Sequence, residues 1–176
     1  MKKASGLSGC LSSYRITIKT GIMETKPLKR HPALRPLSKE HHFSLLICWK
    51  IRRGLELDIA PERIGNYLIN AWHQQISLHF NIEEEYVFPI LGPENKLAND
   101  AISEHRAIKR LIMNEPHTVK SLNRIEEKLE SHIRMEERQL FPLIQSIATD
   151  EQMEYINLKH DHPIHEMAWE DEFWNN

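Results

Sequence analysis

The chain is poor in cysteine, in glycine and in long apolar runs, and each shortage excludes something. Two cysteines among 176 residues rule out a disulfide framework and cysteine-rich structural zinc. Six glycines, with no Asn-Gly or Asp-Gly pair, supply few tight hairpin turns and weigh against an all-β fold. No apolar run approaches the ~20 residues that span a bilayer, so no membrane association is expected. An excess of one charge sign is missing too. The 23 basic and 25 acidic residues give a formal charge of −2, which argues against nucleic acid or another polyanion as partner. Against these shortages stands histidine, with 11 residues. Metal chemistry based on imidazole therefore stays open. The length and the 40% apolar content suit one domain with a hydrophobic core.

Residues 1–29 are expected to form a disordered extension, with Met23 as an alternative translation start. Leu7-Ser8-Gly9-Cys10 resembles a lipoprotein cleavage box, but the stretch before it is too short and too small-residue to act as an apolar leader. The expected location is cytoplasmic.

Apolar spacing predicts four long helices and a short fifth. The first covers about residues 37–55, with Leu37, His41, Ser44, Cys48, Ile51 and Leu55 on one seam. The second covers about 61–91, with Trp72, Ile76, His79, Glu83, Tyr86 and Ile90 inward, and Gly92-Pro93 ends it. The third covers about 97–113, with Ile102, His105, Ile108 and Ile112 inward. The fourth covers about 118–147, with Leu122, Ile125, Leu129, His132, Glu136, Gln139 and Leu143 inward. Thr149-Asp150 reads as the cap of a helix over about 150–159. Short connections between long helices favour antiparallel neighbours. The expected fold is thus all-α, an antiparallel up-down-up-down four-helix bundle over residues 30–158 with a short fifth helix. The remainder, 159–176, is an acidic tail carrying Trp169, Phe173 and Trp174, expected to pack back on the bundle or to meet a protein partner.

An internal repeat runs through the second and fourth helices. His79-x-x-x-Glu83-Glu84 leads to Phe88-Pro89-Ile90-Leu91, and His132-x-x-x-Glu136-Glu137 leads to Phe141-Pro142-Leu143-Ile144. Residues i and i+4 lie on one helix face, so each histidine and its glutamate can point at one place in the interior. His41 and His105 come from the other two helices. His42 is the alternative to His41, although it would share a stripe with Arg53 and Glu56. Two bare carboxylates in a dry core would each cost several kcal/mol, and a pair of cations removes that cost. Imidazole with carboxylate suits iron, manganese or zinc. Two octahedral ions need about twelve positions. Four imidazoles, two bridging carboxylates and a bridging oxo or hydroxo group supply about ten, leaving about two for water or a small ligand.

The pattern H…H-x3-E…H…H-x3-E on four helices resembles the hemerythrin-like, HHE cation-binding family. The resemblance rests on Leu37-Ser-Lys-Glu-His41-His42, His79-Phe-Asn-Ile-Glu83-Glu-Glu-Tyr86, Glu104-His105-Arg-Ala-Ile108 and His132-Ile-Arg-Met-Glu136-Glu137. It implies a four-helix bundle around two carboxylate-bridged iron ions, with O2, NO or another small species as ligand. The oxygen carriers of the family have a further histidine where this chain has Lys109, and an aspartate where it has Glu137. Those departures bring the set closer to the sensor and stress-response members. The metal ligands so implied are His41, His79, Glu83, His105, His132 and Glu136, with Glu137 in reserve and Tyr86 as a hydrogen-bond partner of a ligand.

Three functions compete on these residues. The first is a di-iron protein that senses or handles O2, NO, peroxide or iron. The second is a di-iron oxidase or peroxidase, weakened because ferritin-like oxidases use Glu-x-x-His rather than His-x-x-x-Glu. The third is a metal-free helical interaction module. Outside the seam, Glu84 and Glu85 read as solvated, His73 and His117 as surface residues, Trp49 and Trp72 as packing. His160, His162 and His165 read as a tail cluster with no assigned role.

Overall fold

The computed structural model describes residues 29–160 and 165–175, so the expected N-terminal extension, Lys29 excepted, lies outside the described residues, as does His162. Among the described residues every regular element is helical. A 3-10 turn, Pro32–Leu34, leads into α1, Arg35–Glu56. Next come α2 over residues 61–91, α3 at Lys96–Met113, α4 over residues 119–147 and α5 at Asp150–Lys159. No helix among them is long and apolar enough to cross a membrane.

The helix ends have local causes. Asp58 at φ 54° and Pro61 in the first turn of α2 separate α1 from α2. Gly92 stands at φ 81°, a conformation that disfavours any side chain, and stops the chain after α2. Thr118 and Thr149 each accept a hydrogen bond from the N–H three residues on, while Ser121 Oγ and Gln152 Oε1 accept one from the threonine N–H. These reciprocal caps satisfy amides that a helix start leaves open.

Neither α2 nor α4 is regular. A π turn at Glu83–Val87 in α2 and another at Glu136–Leu140 in α4 occupy the same place in the internal repeat. Each closes with a phenylalanine N–H, Phe88 donating to the Glu83 carbonyl and Phe141 to that of Glu136. The next residue in both cases is proline, which has no N–H and whose ring crowds the carbonyl four residues back. A widened turn accommodates both problems, and it adds one residue to the helix face. After Glu83 the buried residues are therefore Val87 and Phe88, while Tyr86 and Ile90 are only half-buried. After Glu136 they are Leu140, Phe141 and Ile144, while Gln139 and Leu143 are exposed. The expected seam fails at the matching place in both repeats for this one reason. A further π turn, Trp72–Ile76, lies earlier in α2.

Two apolar clusters sandwich a polar layer. α1 passes from Leu37 in one cluster through His41 to Ile47 in the other. α2 returns from Ile76 through His79 and Glu83 to Val87. α3 runs from Ala101 through His105 to Ile108, and α4 back from Leu129 through His132 and Glu136 to Leu140. The C-terminal segment packs on the bundle, with Phe173 and Trp174 buried in the cluster around Ile51 and Trp169 against it. Lys50 holds this segment by pairing with Glu166 at 2.6 Å and lying 3.9 Å over the Trp174 ring. Gly54 permits the contact, since a Cβ there would meet Ile64 and Phe173 at 2.8 Å. Trp49, expected to pack, is instead 45% exposed.

Candidate metal centre

The six residues expected as ligands come together from four helices. His41, His79, Glu83, His105, His132 and Glu136 are each at most 3% exposed. They form two groups, His41–His79–Glu83–Glu136 and His105–His132–Glu83–Glu136, within each of which the donor atoms lie no more than 4.8 Å apart. The two glutamates belong to both groups because each carboxylate spans them. Glu83 turns Oε1 to His41 and His79, at 3.6 and 3.3 Å, and Oε2 to His105 at 3.4 Å. Glu136 turns Oε2 to His41 at 3.1 Å, and Oε1 to His132 and His105 at 3.3 and 3.8 Å. The rings of His41 and His79 meet edge to face at 4.6 Å, and those of His105 and His132 repeat that distance.

A ring of outer carboxylates fixes the imidazoles. His79 Nδ1 lies 2.9 Å from Glu40, His105 Nδ1 2.8 Å from Glu84, His132 Nδ1 2.8 Å from Glu104, and His41 Nδ1 2.8 Å from Glu137. The pattern is cyclic: α1 serves α2, α2 serves α3, α3 serves α4 and α4 serves α1. An ionised carboxylate only accepts, so each Nδ1 donates to its carboxylate and each Nε2 faces the interior, where a cation that displaces any proton there would meet its lone pair. His105 and His132 then bring two such nitrogens within 2.9 Å of each other. Phe80 stacks on His105 at 3.6 Å and Phe141 on His41 at 5.2 Å, which fixes the ring planes.

The electrostatics are those of acceptors awaiting a cation. Burial pushes the Glu83 carboxyl up, but His79, His105 and His41 more than offset it and hold it well below the usual range. Burial and the facing Glu83 both push Glu136 up, yet His132, His105 and His41 bring it below its ordinary value. Conversely, burial lowers His41, His79 and His105 while the facing carboxylates more than offset it, holding His41 well above its ordinary value, His79 at about 8 and His105 at about 10. The Nε2 atoms of His41 and His79 and all four oxygens of Glu83 and Glu136 are buried without a hydrogen-bond partner. Unsatisfied buried polar atoms in such number are costly, and a cation in each group satisfies them. The residues fit a pair of metal ions.

Several expectations need correcting. Glu137 is in neither group; it accepts from His41 Nδ1 and pairs with Arg30 at 2.5 Å. Tyr86 is turned outward by the π turn, its ring against Tyr155 and under Lys159. Glu84 is not merely a solvated residue, and Glu40 and Glu104 were not anticipated. Their signal in the sequence is the Glu-His pair on α1 and α3 and the Glu-Glu pair on α2 and α4. Of the two adjacent histidines on α1, His41 is inward and His42 exposed. His117 is packed over Gly65, where an added Cβ would clash with its ring, and its Nε2 lies 3.0 Å from the Ile112 carbonyl. His160 is buried with Nε2 3.0 Å from Glu40.

The model of the hemerythrin HHE cation binding domain matches residues 49–144, more than half of the chain. This chain belongs to that family. The matched stretch contains His79, Glu83, His105, His132 and Glu136, and begins after His41, which the fold brings to the same place. No curated protein and no solved structure matches the chain. In this hemerythrin-like chain Lys109, one turn beyond His105 on α3, is exposed, with Nζ 6.0 Å from the Trp72 ring.

Proposed function

We propose that this hemerythrin-like protein is a non-haem di-iron protein that senses or handles O2, NO, peroxide or iron. One observation carries the reading: two four-residue groups share Glu83 and Glu136, whose opposite oxygens face opposite groups. One ion would be held by His41 and His79, the other by His105 and His132, with both carboxylates common to the two. When iron is bound, it supplies one-electron chemistry and positions at which a small ligand can exchange.

The chain's own residues set the conditions. Glu83 and Glu136 fix the separation of the two groups. Glu40, Glu84, Glu104 and Glu137 keep the imidazoles in the tautomer that presents Nε2. The apolar clusters on either side of the layer exclude water. Lys109 in place of a fifth histidine leaves one more exchangeable position, which favours sensing or handling over protected oxygen carriage. The alternating passage of α1 to α4 through the polar layer supports the up-down-up-down four-helix arrangement.

Protein purified aerobically with iron is expected to contain about two irons per chain, by the ligand count above, with near-ultraviolet ligand-to-metal absorption. A chain that stays metal-free and cannot be reconstituted overturns the proposal in favour of an interaction module.

A further inference from the structure

The two groups are related by the internal repeat but are not braced alike. On the His41–His79 side both outer carboxylates are held a second time. The Glu40 Oε2 that accepts from His79 Nδ1 at 2.9 Å also lies 3.0 Å from His160 Nε2. Glu137 gives one oxygen to His41 at 2.8 Å and the other to Arg30 at 2.5 Å, and Arg30 also donates to the Glu137 carbonyl at 3.0 Å. Side-chain exposure is 13% for Glu40 and 29% for Glu137. On the His105–His132 side, Glu84 and Glu104 are 37% and 43% exposed. Among the described residues neither has a second charged partner. Arg30 and His160 lie before and after the repeated segments, so the repeat provides no counterpart for them.

We propose that His160 and Arg30 make the two metal positions inequivalent, so that the His41–His79 position fills first and holds its ion more tightly. The inference rests on the metal-site reading above. His160 acts as a positioning residue: it fixes Glu40, Glu40 fixes the His79 ring, and the ring is ordered before the ion arrives. Ordering ahead of binding removes an entropic cost from the binding step, and a fixed outer carboxylate raises the basicity of the ligand. His132 and His105 rest on more exposed carboxylates that have no second charged partner among the described residues, so these two rings are held less firmly before the ion arrives.

The test adds ferrous iron, without oxygen, to chelator-stripped full-length chain and follows uptake by calorimetry, with iron content measured independently. Wild type should take up two ions in two resolved steps. His160→Ala should weaken the first step about 10- to 100-fold and leave the second in place. His160→Gln, whose amide nitrogen can donate to Glu40 from the same place, should restore the first step. Equal uptake of two ions by wild type in one step, or an unchanged first step in His160→Ala, overturns the inference and leaves the metal site standing. Equal weakening of both steps, not restored by glutamine, makes His160 an ordinary packing residue and also overturns it. A wild-type chain that takes up no iron overturns the metal-site reading itself.

Discussion

Glu83 and Glu136 differ from every other residue of the centre because each belongs to both groups. Removing one of them should therefore act differently from removing a histidine. Glu83→Ala is expected to abolish both metal positions, whereas His79→Ala should impair chiefly the position it shares with His41. His42→Ala, altering an exposed ring one residue from a candidate ligand, should leave iron content unchanged. Iron per chain, measured by elemental analysis on folded variants, checks all three. At this scale the sequence was informative where helix periodicity applies, since His-x-x-x-Glu puts both side chains on one face. It marked the outer carboxylates only as chain neighbours of the ligands and not the imidazole each one serves, because Glu40 reaches His79 and Glu104 reaches His132 across helices. No spacing within one helix encodes those contacts.

The helices themselves were largely legible. Thr118, Thr149 and Gly92 marked ends that the structure keeps, because caps and positive φ are properties of a few adjacent residues. Thr118→Ala removes the hydroxyl that accepts from Ser121 N–H at 3.1 Å and should destabilise the fold by about 1 kcal/mol in chemical denaturation, with little effect on iron content. The π turns were not legible. In the sequence, Phe-Pro signals only the loss of one hydrogen bond near a helix end. Its larger effect is to widen the preceding turn at Glu83–Val87 and Glu136–Leu140, which rotates Tyr86, Gln139 and Leu143 off the interior face. Tyr86 was expected beside a ligand because a uniform 3.6-residue period was carried through a turn that does not have it.

For the whole molecule, the polar layer between two apolar clusters is both the site and a liability. Four carboxylate oxygens in that layer have no hydrogen-bond partner. Cations held in that layer would stabilise the native state by binding it in preference to the unfolded chain. Chelation is therefore expected to lower the melting temperature of iron-loaded protein, and re-addition of iron to restore it, as followed by helical circular dichroism. An unchanged melting temperature would mean that the layer tolerates its empty state. The C-terminal segment contributes to the same native state through Phe173 and Trp174, and the chain between α5 and that segment starts at His160, beside Glu40.

By itself the sequence determined the all-helical class, the helix ends, the repeat and, apart from the choice between His41 and His42, the residues at the centre. All of these follow from local rules: periodicity, caps and the cost of burying unpaired charge. Tertiary structure alone decided the rest. It chose His41 over His42, moved Glu137 from reserve ligand to partner of His41, and turned Tyr86 outward. It also seated His160 against Glu40, and it braced one half of the centre more firmly than the other. These outcomes depend on how wide each turn is and on which side chain reaches across from a neighbouring helix, and a one-dimensional pattern carries neither.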